Sequence, residues 1–246
     1  NFLPITMDIE PTTGCNFRCT MCQVSSPNFV SKNLDFEMFK KTIEDNKQLL
    51  KIKLQGMGEP LVNTKFFDMV NFASNHGIVS EITTNGSLLN KENIFKLINS
   101  NLSRITISID GATSETFQKI RIKSNFETVV ENCKNLVKNF KKKLIRPEIS
   151  AWCVVQNDNV KEFDKIYELC KEIGFDKLKP LRTPNPHLSL IEPSPLKVNS
   201  NPDILVLPTF LEVKPNPNKG SELGPQPPKV NSIMLLYSII KPTRST

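Results

Sequence analysis

Only two histidines occur among the 246 residues, His76 and His187, and neither has a cysteine or a second histidine beside it. Structural zinc asks for four ligands, usually as two separated pairs, and the sequence has no second pair. No stretch is long and apolar enough to span a bilayer; residues 232–240, SIMLLYSII, are too few. The first residues lack a basic start followed by an apolar run, so no secretory signal is expected and the cytoplasm is the expected compartment. No long block of one charge sign exists. The net charge of +7 is spread along the chain, and its densest cluster, KNFKKK at 138–143, reads as a solvated helix end whose cations suit the C-terminal dipole. Neither a membrane nor a nucleic acid is therefore expected as a partner. Hydrophobic content of 38% and charged content of 23% suit a globular chain able to build a core.

What is present between residues 5 and 182 is a regular alternation. Strand patterns fall at 5–10, 51–55, 78–84, 104–110, 147–155 and 175–181, and helix patterns at 34–50, 63–77, 90–101, 125–140 and 160–174. Asp35 is the expected cap of the first helix and Asn63 of the second, while Gly77 and Gly174 act as stops. Leu34, Met38, Ile43, Leu49 and Leu50 are the expected apolar side of the first helix. Strand–helix alternation forces parallel pairing, because each helix returns the chain to the same end. Six such units predict an α/β fold: a partial (βα)6 TIM-type barrel with its chemistry in loops at the C-terminal ends of the strands. Beyond residue 182 the composition changes. Twelve of the 18 prolines fall there and no cysteine does, which predicts an irregular proline-rich tail over 183–246, with 204–213 a weak edge-strand pattern.

Three of the six cysteines sit within eight residues, in PTTGCNFRCTMCQ at 11–23, on the loop after the first strand. Cys15, Cys19 and Cys22 follow C-x3-C-x2-C spacing, short enough to wrap three thiolates around one face of a metal centre. Arg18 lies inside the loop, and a nearby cation favours the thiolate. Zinc lacks a fourth ligand, and a redox C-x-x-C of Cys19 and Cys22 leaves Cys15 unexplained. An iron–sulfur cluster fits better, with one iron left for a ligand that is not protein. Cys133, Cys153 and Cys170 fall in helix, strand and helix and read as core residues.

This spacing after the first strand of a partial barrel resembles the radical S-adenosylmethionine superfamily. Further matches follow in order: GMGEP at 56–60 resembles that family's Gly-Gly-Glu-Pro motif, TTNG at 83–86 follows the third strand, and ISIDG at 107–111 ends the fourth. IRIKSNFETVVEN at 120–132 is similar to a segment carrying a basic contact to the cofactor. The likeness covers 5–182 and is closest to the core of members that carry SPASM or twitch extensions, without the cysteine-rich extension itself. Met21 stands before the third cysteine where the family usually has an aromatic residue; a thioether still packs on adenine.

The resemblance implies a [4Fe-4S] cluster on Cys15, Cys19 and Cys22 and S-adenosylmethionine chelating the open iron. Reductive cleavage of that cofactor gives a 5′-deoxyadenosyl radical, which takes hydrogen from a peptide or small-molecule substrate, such as a cofactor precursor. It implies an electron donor such as a flavodoxin or ferredoxin. Gly58 allows close approach of the backbone, Glu59 accepts hydrogen bonds from the cofactor's ammonium, and Pro60 fixes the turn. Gln55 is similar to a cofactor contact, and Asn85 is a turn former first and a contact second. Ser108 and Asp110, two apart on one strand, reach ribose hydroxyls if their face is the interior; the alternative is a strand-end turn at Asp110-Gly111. Arg121 pairs with the cofactor carboxylate, or is a surface helix arginine. Two further readings stay open: a cluster- and cofactor-binding relative impaired in catalysis, and a non-catalytic metal-binding scaffold.

Overall fold

The computed structural model describes residues 4–182. The expected tail at 183–246, the pattern at 204–213 and the apolar run at 232–240 lie outside the described residues. In chain order the elements are β1 (Thr6–Ile9), β2 (Arg18–Cys19), α1 (Phe36–Asp45), β3 (Lys51–Leu54), α2 (Phe66–Asn75), β4 (Val79–Thr84) and α3 (Lys91–Ile98). Then come β5 (Leu102–Ser108), α4 (Ser114–Ile120), β6 (Arg121–Ile122), α5 (Phe126–Phe140), β7 (Glu148–Val155), α6 (Phe163–Ile173) and β8 (Lys177–Arg182).

Six strands form one parallel sheet in the order β1-β3-β4-β5-β7-β8, each beside its neighbour in sequence. That is the strand order of a (βα) barrel left open between β1 and β8, as the alternation predicts. One face of the sheet packs on the helices. Ile52, Leu54, Ile82, Ile105, Ile107 and Ile149 are buried there with Phe39, Ile43, Met69, Leu97, Leu136 and Ile166. Each such side chain taken fully from water contributes about 1.5–3 kcal/mol.

The opposite face carries a charged row. Lys53 approaches Asp8 at 3.6 Å, Arg104 lies between Glu81 at 3.3 Å and Glu148 at 2.9 Å, and Lys177 reaches Glu148 at 2.7 Å. Burial pushes the Glu148 carboxyl up, but the Lys177 hydrogen bond and the Arg104 and Lys179 charges outweigh it and hold the group below its usual range. Above this row Gln55 accepts from Thr83 Oγ1 at 2.8 Å, and Thr106 and Ser150 share a hydrogen bond at 3.2 Å. This polar face contrasts with the apolar layers that fill a closed barrel.

Local sequence sets the helix ends. Asp35, Asn90 and Asn125 each accept a backbone N–H three residues on, at 3.0, 2.8 and 2.7 Å. Gly174 closes α6 in the left-handed region, φ 92°. Three expectations are corrected. The first helix ends at Asp45 rather than 50, and it turns Phe39 inward while Met38 is 61% exposed. The second begins at Phe66 because a short 3-10 turn, Pro60–Val62, precedes it; Asn63 instead accepts from Lys65 N at 2.8 Å and donates to the Pro11 carbonyl at 2.7 Å. An unforeseen helix, α4, has seven residues, too few for an apolar period to stand out.

Candidate cofactor site

Four of the motifs singled out from the sequence lie at or just beyond the C-terminal end of a sheet strand, while the fifth, 120–132, runs from the end of α4 through β6 into α5. The cysteine loop follows β1, GMGEP follows β3, TTNG closes β4, and Asp110 stands just past β5. Parallel pairing brings these ends to one edge.

The cysteine loop is fixed at several points. Phe17, 2% exposed, and Val24, 4% exposed, anchor it in the core. Residues Arg18 and Cys19 pair antiparallel with Ile122 and Arg121, and Thr20 N donates to the Ile120 carbonyl at 2.9 Å. Arg18 braces the loop from within, its Nη1 donating to the carbonyls of Cys15 at 2.6 Å and Phe17 at 2.7 Å. Alongside Arg18, a second guanidinium meets the loop: Arg121 reaches the thiol of Cys19.

Around the thiols each neighbour has a definite place. Asn85 Nδ2 points toward Cys15 Sγ at 3.9 Å and donates to Asn16 Oδ1 at 2.9 Å, while its Oδ1 accepts from Ser87 N at 2.9 Å. Cys22 Sγ lies 3.9 Å from the Met57 carbonyl. Arg121 Nη1 lies 3.9 Å from Cys19 Sγ. Burial pushes the Cys19 thiol up to about 11 against the pull of Arg121, and raises Cys15 against a backbone hydrogen bond from Phe17.

The GMGEP loop lies beneath. A Cβ on Gly58 would run into the carbonyl oxygens of Thr12 and Gly14, so only glycine fits where the two loops cross. Glu10, which sequence reasoning missed, accepts from the backbone N–H of Met57 and from that of Gly58 at 3.3 Å. Its signal was an acid placed directly after the first strand. Glu59, 2% exposed, accepts from Thr84 Oγ1 at 2.7 Å, Asn85 N at 2.6 Å and Leu61 N at 3.2 Å. Burial raises its carboxyl in spite of these donors. Pro60 is buried at the first position of the 3-10 turn.

Four more of the expected residues have definite places. Ser108 is half-buried, and its hydroxyl takes no hydrogen bond among the described residues. Asp110 does not open to the site with it: the strand ends at Ser108, and Asp110 is fully buried, accepting from Val154 N at 2.7 Å and meeting Arg121 Nη2 at 2.6 Å. Arg121 is no surface helix residue; it lies on β6 and is 6% exposed. Gln55 lies on the polar face, donating to Asp8 at 3.0 Å. Cys133, Cys153 and Cys170 are buried in the core, as their positions suggest.

The donor set fits an iron–sulfur cluster. Among the described residues no three of His, Cys, Asp and Glu converge as a single ion requires. A multi-iron cluster spreads its thiolates over separate irons, and the Cys15, Cys19 and Cys22 loop offers three with no fourth cysteine outside the core.

An open, partial parallel barrel carries the three-thiol loop at the C-terminal strand ends, the edge where α/β barrels keep their chemistry. The family model for the radical SAM superfamily matches residues 9–170, and the chain belongs to that superfamily. It is similar to mycofactocin maturase of Mycolicibacterium smegmatis, 30% identical over 70% of this chain and 43% of that protein. It is also similar to the AdoMet-dependent heme synthase of Methanosarcina barkeri, 30% identical over 67% and 46%. The chain thus spans about half or less of the curated relatives it matches. Streptococcus suis SuiB bound to S-adenosylmethionine shares the fold, with a TM-score of 0.60 at 17% identity over 73% of this chain and 41% of SuiB. Among the described residues no helix is long and apolar enough to cross a membrane.

Proposed function

We propose that this chain is the core of a radical SAM enzyme, holding a [4Fe-4S] cluster on Cys15, Cys19 and Cys22 and S-adenosylmethionine on the open iron. The observation that carries this reading is the convergence of the three-thiol loop, the GMGEP loop and Asn85 at one strand-end edge. When bound, the cluster supplies the single electron that splits the cofactor into methionine and a 5′-deoxyadenosyl radical.

The chain's own residues hold and orient. Gly58 lets the two loops approach, and Pro60 sets the turn that aims Glu59. Glu59 and Asn85 form the wall beside Cys15, where the cofactor's ammonium would lie. Ser108 keeps a free hydroxyl for a ribose oxygen. Gln55 borders the polar face. Asp110, engaged inside the protein, acts through Arg121 rather than on the ribose.

The substrate class is a peptide or a cofactor precursor. One fold neighbour is SuiB bound to precursor peptide SuiA, and relatives at this similarity include a heme synthase and a GTP 3′,8-cyclase. The charged row on the polar face supports a polar, hydrated substrate side. A flavodoxin or ferredoxin would deliver the electron, and a reduced cluster suits the cytoplasm. The test is anaerobic: reconstitute with iron and sulfide, reduce, add S-adenosylmethionine and measure 5′-deoxyadenosine. Product is expected from the native chain and none from Cys19→Ala. Cluster without product would favour the impaired reading, and zinc in a colourless protein the scaffold reading.

A further inference from the structure

Asp110 and Arg121 form a buried ion pair, their side chains 0% and 8% exposed. Such a pair is a poor source of stability, because desolvation of both charges offsets their attraction, and apolar replacements of similar volume are often neutral. This pair is also imperfect as a bond. Nη2 and Oδ2 meet at 2.6 Å without hydrogen-bond alignment, and Arg121 Nε has no partner. What the geometry does achieve is placement. Asp110 is tied to β7 through Val154 N, and Arg121 is tied to the cysteine loop by backbone register with Cys19. The guanidinium is held between the two, with Nη1 3.9 Å from Cys19 Sγ.

We propose that Arg121 is a positioning residue that keeps a fixed positive charge against the Cys19 sulfur, anchored by Asp110, and that this pair sets the reduction potential of the cluster. The inference rests on the functional reading above. Reduction adds one electron from an external donor to the cluster and makes it more negative. A fixed cation beside one ligand sulfur stabilises the reduced state more than the oxidised one, and charge and hydrogen bonds at the sulfurs are the levers on such potentials. A charge buried from water acts with little screening. Asp110 partly cancels the cation, so the two residues pull the potential in opposite directions.

The experiment is an anaerobic redox titration of the reconstituted protein, followed by electron paramagnetic resonance, for the native chain and for Arg121→Gln, Arg121→Lys and Asp110→Asn. Arg121→Gln should make reduction about tenfold less favourable at a given potential, a shift of about 59 mV to the negative side for one electron. Arg121→Lys should stay near the native value. Asp110→Asn, which keeps the guanidinium and removes its counter-charge, should shift positive. If Arg121→Gln holds no cluster, the sign of the Asp110→Asn shift decides alone. Unchanged potentials, or shifts of the same sign in Arg121→Gln and Asp110→Asn, overturn the proposal, because loosening of the loop alone has no reason to reverse sign. A native chain that takes up no cluster overturns the functional reading, and the proposal with it.

Discussion

A single methyl group separates a loop crossing that closes from one that cannot. Gly58 faces backbone carbonyls of Thr12 and Gly14, which cannot swing aside as a side chain would. Gly58→Ala should therefore cost about 3 kcal/mol or more by overpacking and strain, read as a lowered thermal midpoint together with reduced iron uptake. Gly77→Ala is the control. Its φ of 74° disfavours a side chain, but nothing lies within 4 Å of the new Cβ, so about 1 kcal/mol is lost and iron uptake is kept. The cysteines act at the same scale. Cys15→Ala, Cys19→Ala or Cys22→Ala should each abolish the visible chromophore, whereas Cys170→Ala, in the core, should lower stability and leave it intact.

At the scale of elements, the sheet's far edge depends on one residue between α6 and β8. Asp176 accepts two bonds from Arg146, at 2.6 and 2.7 Å, and a third from Ile149 N at 2.8 Å. The Arg146 hydrogen bonds hold its carboxyl below the ordinary range. A depressed folded-state value means the contribution is complete above the unfolded value, about 3.9, and is lost as pH falls through the lower folded one. Asp176→Asn should cost about 1 kcal/mol after allowance for solvent screening. It should also flatten the acid limb of a pH–stability curve below about pH 4, a comparison made by urea unfolding at several pH values. The main elements were legible because strand and helix patterns alternate with few exceptions between residues 5 and 182. Helix α4 was not, being seven residues long, nor was the β2–β6 ladder, whose pairing joins residues about a hundred positions apart. The inward turn of Phe39 in place of Met38 was hidden by two apolar neighbours that fit either phase.

At the scale of the whole molecule, the three thiols and the loops around them were readable as motifs because close backbone approach and the spacing of cysteines restrict residue type. The partners that hold them were not. Glu10 under the GMGEP loop, Asn16 beside Asn85 and the fate of Asp110 depend on tertiary closure, and no local spacing encodes it. Asp110 shows the limit most plainly: alternation from Ser108 suggests a shared face, but the strand ends before Asp110 is reached. The central claim is a three-cysteine cluster with one corner open to the nucleotide. The most direct measurement is the electron paramagnetic resonance spectrum of the reduced, reconstituted chain before and after S-adenosylmethionine is added. A [4Fe-4S] signal that changes shape on addition is the predicted result; a signal indifferent to the nucleotide, or no cluster signal at all, would contradict it.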